Sequence, residues 1–501
     1  MKNILANFVS TIWLLLLQLV CIPFYVKLMG IEAYGLIGFY IMLQVILQAF
    51  DFGLGMTMNR TMAYYSVQSE RLKEARDFTR TVEIIYITIG IIAGVLILSG
   101  ASLIAKYWIK PGNIPFNIIW QSLMLMGVLI TLQWTFNFYQ NALMGLQRQV
   151  SLCYINMAAN TLLSVGAVLI LRFFSPTITT FFLWQIIVSF ARTIVIAVFF
   201  WGNLSLPGHK PSYNFQLIKN VRHFTLGMSG IAFVGLLLSQ IDKIVLSNLF
   251  SLKEFGYYVL ASTIAVLGPT MFVLAVFSAV LPRFSALVAK ADYGTLKQIY
   301  HQNCQLVAAF ILPIMAIFIF FSFDIVLLWT GNIETAKNVA PIASVLVVGT
   351  AINALMSMPY SLQLAHSWTK LTLIVNVFIA MVVIPGIFFM AKHYGALGAA
   401  SMWVVLNAIY MLVTIPMMHR RLMKTEMRHW IFNDVLIPLA AAMIIPGACR
   451  WLITIPRPSA MAFISLFLIL ISTIVATAFV SPQLRLLALR QFSKIVMKNK
   501  K

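Results

Sequence analysis

Apolar residues run through this chain in blocks, separated by short polar loops. A bilayer core of about 30 Å takes about 20 apolar residues of helix to cross. Fourteen stretches meet that length: 5–26, 36–58, 82–105, 117–140, 150–171, 178–200, 224–247, 257–280, 302–321, 339–361, 369–390, 396–416, 433–453 and 460–480. The blocks at 5–26 and 82–105 are the clearest. Those at 302–321 and 433–453 are interrupted or bordered by Pro313, Pro438 and Pro446, residues that disturb a helix interior. The loops are too short to hold a soluble domain. The first block is too long for a signal-peptide core and no small-x-small cleavage site follows it. Val20 before Cys21 also spoils a lipoprotein cleavage site, so this block is expected to stay as a permanent span.

Composition agrees. Of the 501 residues 61% are apolar and 10% charged, against about 45–50% and 25% in a soluble domain. Mean hydropathy is +0.93. These values exclude an ordinary soluble enzyme and a disordered chain. Four cysteines (Cys21, Cys153, Cys304, Cys449) without a C-x-x-C pair give no disulfide framework and no zinc motif. The seven histidines show no cluster in sequence, and most are expected to be solvated in loops.

The net charge of +22 would suit nucleic acid, but its distribution points elsewhere. With the N-terminus inside, 24 of the 35 basic residues fall on the cytoplasmic side and nine outside. That is the positive-inside bias, and it places both termini in the cytoplasm. The charge then reflects topology and attraction to anionic membrane lipid, with no nucleic acid partner. The tail from Arg485 to Lys494 reads as a basic amphipathic surface helix.

A repeat is visible. Gly30-Ile-Glu32-Ala-Tyr34-Gly35 follows the first span, and Lys253-Glu254-Phe-Gly256-Tyr257-Tyr258 follows the seventh. Asn59-Arg60 closes the second span and Pro282-Arg283 the eighth. The expected architecture is an all-α polytopic protein of about 14 transmembrane helices. It comprises a six-helix lobe over 1–203, a pseudo-symmetric second lobe over 204–429, and two further helices with a basic tail over 430–501. An even number of spans per copy puts the symmetry axis along the membrane normal.

These stretches carry a family resemblance. Asn7, Ile22-Pro23, Gly30 to Gly35, Asp51-Phe-Gly53-Leu-Gly55, Arg60 with Ala63, and Gln240-Ile-Asp242-Lys243 with Gly256-Tyr257-Tyr258-Val-Leu-Ala261 resemble the polysaccharide-transporter branch of the multidrug/oligosaccharidyl-lipid/polysaccharide (MOP) exporter superfamily. The nearest members are the O-antigen flippases of the Wzx type. The resemblance implies a MATE-like fold, two six-helix lobes around a central cavity, and passage of a lipid-linked sugar between the leaflets of the inner membrane. It also implies a polysaccharide polymerase and chain-length proteins as candidate partners. Lipid II flippases share the span count but carry several arginines in their first two spans, where this chain has only Arg60.

Ionisable residues inside lipid cost about 2.5–3.5 kcal/mol each on insertion scales and so need a reason. Arg192 lies well within the sixth span, either facing a cavity to attract a diphosphate or paired with a carboxylate or carbonyls. Lys243 lies close enough to the outer end of its span to snorkel, or adds a further cation to the site. Asp242 needs a partner other than Lys243, since adjacent helical residues do not face each other. Asp51, beside Gly53 and Gly55, can cap a broken helix, pair with an arginine, or take up the H+ or Na+ that drives transport. Arg60 and Arg283 end their spans as topological anchors or as a cationic vestibule for phosphate. Gln133, Asn137 and Asn141 share a helical face by i, i+4 spacing, beside Trp134, Phe136, Phe138 and Tyr139. Asn156 and Asn160 repeat the theme. Amides and aromatic rings suit a sugar, and they also suit hydrogen bonding between helices.

Outer loops hold only Glu32, Glu254, Asp324 and Glu334 as acids, dispersed along the chain. No phosphate-binding G-x-x-x-x-G-K-[ST] or H-E-x-x-H motif is present. The reading is therefore a carrier of a polyprenyl-diphosphate-linked oligosaccharide. A polymerase or ligase acting on the same lipid, and a multidrug exporter of the same fold, are the alternatives.

Overall fold

The computed structural model describes residues 2–51, 53–68, 71–204, 206, 209–214, 239–452 and 460–486. Among these the protein is helical, with one isolated parallel bridge between Lys110 and Ser251. Twelve helices among the described residues are long and apolar enough to cross a membrane. Their outward faces carry large apolar side chains such as Leu96, Val198 and Phe467, as a surface solvated by lipid tails requires.

In chain order the first six helices are α1 (Lys2–Met29), α2 (Ile31–Gln48), α3 (Leu54–Tyr65), α4 (Leu72–Leu103), α5 (Phe116–Gly145) and α6 (Gln149–Thr161). Then come α7 (Ala167–Phe173), α8 (Ile178–Asn203), α9 (Leu252–Ala289), α10 (Tyr293–Thr330) and α11 (Ile333–Leu355). The last are α12 (Ser357–Ala365), α13 (Lys370–Leu422), α14 (Ile437–Leu452) and α15 (Ala460–Val480). Pro313 sits inside α10 without ending it. The span expected over 224–247 is described only from 239 onward, and the tail helix only as far as Leu486. The remainder of both lies outside the described residues.

Three of the departures from uniform rods bear on the fold's layout. The second expected span is broken: α2 ends at Gln48, a 3-10 turn covers Ala49–Asp51, and Gly53 at φ 74° leads into α3. α13 is two rods joined at Gly395 (φ 65°, ψ −153°), a conformation only glycine adopts without strain. Its two arms correspond to the separate spans expected over 369–390 and 396–416. The fifth span contains a π-helical turn, Leu162–Gly166, between α6 and α7. A π turn frees backbone carbonyls, and neighbours take them up. Trp184 Nε1 donates to Leu162 O and Gln185 Nε2 to Leu163 O, both at 2.9 Å. The Tyr25 hydroxyl donates to Ser164 O, also at 2.9 Å.

The chain divides into two compact units, Met1–Gly256 and Tyr257–Lys501. In the first, the repeated loops meet. A Cβ on Gly35 would lie 2.6 Å from Leu252 O, and one on Gly256 would lie 2.3 Å from Ile31 O. The contact is reciprocal, residue for residue. Segment 247–252 is tied down nearby: Trp108 Nε1 donates to Ser247 Oγ (3.0 Å), Lys110 Nζ to Leu249 O (2.8 Å), and Leu252 N to Lys110 O (3.2 Å). Glu32 receives bonds from the backbone and side-chain amides of Asn113. In the second unit, Asp324 at one end of α10 is buried and ion-paired with Arg450 of α14 at 3.0 Å.

Candidate functional site: an amide-lined cavity in the first unit

The break between α2 and α3 leaves the first amides of α3 without helical partners. Asp51 repairs this, its carboxylate accepting from Gly55 N at 3.1 Å and 3.3 Å. Asp51 thus serves as a helix cap, and it also lies in the wall of a cavity of about 350 Å³. The wall is completed by Gln48 of α2, Tyr86 of α4, and Trp134, Asn137, Gln140 and Asn141 of α5. Tyr86 stands beside Asp51 in this wall.

Asn137 and Asn141 share this wall because four residues advance a helix by little more than one turn. Asn141 Nδ2 donates back to Asn137 O (2.9 Å), and that amide lies only 2.7 Å from where a Cβ on Gly55 would stand. Gln133, one turn earlier, donates from Nε2 to Asn137 Oδ1 (3.0 Å) and accepts from Arg192 Nη2. Arg192, on α8, lies 4.1 Å over the Phe136 ring. Among the described residues it makes no ion pair with a carboxylate. Its partners are the Gln133 amide and the Phe136 ring, with Tyr40 nearby. Arg192 is therefore outside the lining but connected to it through Gln133 and Asn137. Two buried donors here, Arg192 Nε and Trp134 Nε1, have no hydrogen-bond partner among the described residues.

Aromatic packing makes the wall firm. Tyr86 packs on Trp134 and Phe138, with ring centroids 5.6 Å and 5.5 Å apart. Behind it, the buried Glu83 accepts from Tyr139, from Trp201 (3.2 Å) and from Arg80 (2.6 Å). Its charge is thereby assigned to structure.

The other expected residues lie elsewhere. Arg60 is exposed on α3 and Arg283 exposed on α9, and both helices run past them, to Tyr65 and Ala289. Asn156 and Asn160 are half-buried on α6 and do not line the cavity. Lys243 and Asp242 pair with each other at 3.5 Å, although they are neighbours on one helix, and Asp242 has a further partner as well. Adjacent Cβ atoms diverge on a helix, but a four-carbon lysine stem can fold back across one residue. Gln48 and Tyr86 were not singled out by sequence reasoning. The signal for Gln48 was present, a polar side chain within an apolar run three residues before Asp51.

The histidine pattern also differs from expectation. His301 and His419 are buried, and His301 packs against His429 with ring centroids 4.3 Å apart.

A second cavity, of about 430 Å³, lies in the second unit. Its wall includes Phe277, Tyr360, Asn376 and Tyr410. The Tyr410 hydroxyl donates to Asn376 Oδ1 at 2.5 Å.

Comparison with known proteins gives the fold its context. A Shigella flexneri protein named as an O-antigen transporter is 22% identical over 398 residues, 78% of this chain and 92% of its own length. The lipid II flippase MurJ, in an inward closed conformation, superimposes with a TM-score of 0.71 at 15% identity, covering 96% of this chain and 98% of its own. An inward-facing multidrug resistance MATE family transporter of the MOP superfamily gives 0.64 at 14% identity, covering 83% and 95%. The fold is thus the one these MOP-superfamily transporters share, carried here by a multi-pass membrane protein. The family of polysaccharide biosynthesis proteins matches residues 24–333, and the chain belongs to that family.

Proposed function

We propose that this protein is a flippase. It carries a polyprenyl-diphosphate-linked oligosaccharide, an O-antigen or related repeat unit, from the cytoplasmic to the outer leaflet of the inner membrane by alternating access. The observation that carries this reading is the amide and aromatic wall coupled through Gln133 to Arg192, which meets no carboxylate among the described residues. Amides exchange hydrogen bonds with sugar hydroxyls, and the faces of Trp134 and Tyr86 suit the apolar faces of sugar rings. Arg192 supplies the cation for the diphosphate, by the paired N–H geometry that makes arginine a strong phosphate binder. Asp51 takes the coupling H+ or Na+. The relatives' names for O-antigen and lipid II support a lipid-linked glycan as substrate.

Arg60 and Arg283, exposed near the ends of their helices, are assigned the first electrostatic contact with the headgroup. The Lys243–Asp242 ion pair is assigned a structural role, because each charge is already answered. A multidrug exporter is the second reading, favoured by one observation: the ionisable acid in the cavity wall, Asp51, would attract a cationic drug.

The test is deletion of the gene followed by leaflet-resolved measurement of lipid-linked oligosaccharide. Finished units should accumulate on the cytoplasmic side and be cleared by the wild-type gene but not by Arg192→Ala. Unpolymerised units accumulating outside would instead indicate an enzyme. Normal glycan export with lost efflux of a cationic dye would indicate the multidrug exporter.

A further inference from the structure

Away from the amide cavity, three side chains converge near the first turns of α10, all within the second unit. His301 stands on α10 and is buried. His429 ends the short helical turn Met427–His429, and Asp434, fully buried, lies in the π-helical turn Trp430–Leu436. One ring nitrogen from each histidine and one Asp434 oxygen lie within 4.8 Å of one another.

The π turn accounts for this convergence. Five residues along an α-helix, at about 100° each, would put His429 and Asp434 on different faces. The wider winding of a π turn repeats near five residues and returns Asp434 to the side of His429. Such turns occur mostly as single turns and frequently at functional sites.

Each of the three groups is also held from behind. His301 Nε2 meets Glu426 at 3.1 Å, and Glu426 is fixed by Lys297 at 2.5 Å and Thr425 at 2.8 Å. Gln305 Nε2 donates to Asp434 Oδ1 at 2.8 Å, leaving Oδ2 for His301 Nδ1 at 2.5 Å. The side-chain amide of Asn433 holds His429 Nδ1 at 2.8 Å, leaving Nε2 as the atom to ligate. A carboxylate behind one histidine and amides behind the other two groups is the outer support that orients metal ligands.

We propose that His301, His429 and Asp434 form a three-ligand site for a divalent transition metal of the zinc class, with a fourth position open to water. Two imidazoles and a carboxylate suit that ion, whose bonds to such ligands are about 2.0–2.2 Å. Ligands on a tetrahedral ion then stand about 3.3 Å apart, so His301 and Asp434 part by less than about 1 Å to admit it. The proton shared between His301 Nδ1 and Asp434 Oδ2 passes to solvent, as metal uptake by imidazole requires. The bound ion joins α10 to the 427–436 segment.

The experiment uses the full chain purified in detergent, stripped with a chelator and titrated with Zn2+ against a chromophoric indicator. Expected are one Zn2+ per chain, release of about one proton per ion, and loss of stoichiometric uptake in His429→Ala and Asp434→Asn. Gln305→Ala should weaken uptake about 10–100-fold, and His393→Ala, at an exposed histidine of α13, should leave it unchanged. Co2+ bound to the wild-type chain should show the intense visible absorption of a four- or five-coordinate ion, which carries the test if a ligand variant fails to fold. Absence of that absorption, absence of stoichiometric Zn2+ uptake, or uptake unchanged in His429→Ala would each overturn the proposal.

Discussion

Arg192 of α8 and Gln133 of α5 are joined by a side-chain hydrogen bond, with the guanidinium 4.1 Å over the Phe136 ring. Among the described residues the cation is held by a neutral amide and an aromatic face rather than by an acid. Neither partner commits it as a carboxylate would, so an arriving anion does not have to break an ion pair.

Arg192→Ala is expected to lower glycan export about tenfold or more at equal membrane expression, the scale of losing one charged hydrogen bond. Arg192→Lys should retain part of the activity, keeping the charge but not the paired N–H fork. Gln133→Ala should fall between them. Wild-type export by the alanine variant, measured by surface glycan at matched protein level, would remove Arg192 from the mechanism.

Asp51 combines a cap with a position in the cavity wall, and substitutions separate the two. Asp51→Asn preserves an acceptor for Gly55 N, so the melting temperature should change little while transport loses its dependence on the H+ or Na+ gradient. Asp51→Ala should in addition destabilise by about 1 kcal/mol, the usual cost of a lost helix cap. Proteoliposomes with imposed gradients make the comparison.

Tyr139→Phe removes one donor from a carboxylate that is almost fully buried, since Glu83 also depends on Trp201 and Arg80. A stranded buried acceptor costs about 1–3 kcal/mol. A clear fall in melting temperature in detergent is expected, and the double variant Tyr139→Phe with Glu83→Gln should recover part of it.

Gly256→Ala puts a methyl 2.3 Å from Ile31 O, and Gly35→Ala puts one 2.6 Å from Leu252 O. Each should destabilise by about 1–3 kcal/mol, as overpacking does. Both relieve the clash by moving the same two backbones apart, so the double variant should cost less than the sum. Additive losses would show that the two contacts are independent.

Much of this architecture is legible in the chain, because membrane spans are set by length and apolarity. The face shared by Gln133, Asn137 and Asn141 follows from i, i+4 spacing, and Asp51 beside two glycines already suggests a break. What stays hidden depends on tertiary approach or irregular winding. His301 and His429 are 128 residues apart in sequence, and a reading at 100° per residue has no place for the π turn that brings Asp434 round. Arg60 and Arg283 were read as span ends, but helices continue beyond their apolar blocks by an amphipathic turn or more. Arg192 shows its depth in the sequence but not its neighbour, because Gln133 lies 59 positions away.

The strap formed by Trp108, Lys110 and the backbone around Ser251 bears on how the protein is made. The first compact body includes residues as far as Gly256, so the ribosome must deliver them before that body can close. Until then the ends of α2 and α4 near Ile31 and Leu103 wait with unmatched surfaces, and a fragment terminated near Asn203 would leave insertion with its clasp missing. Such a truncation should be degraded rapidly, even though it contains six complete hydrophobic crossings.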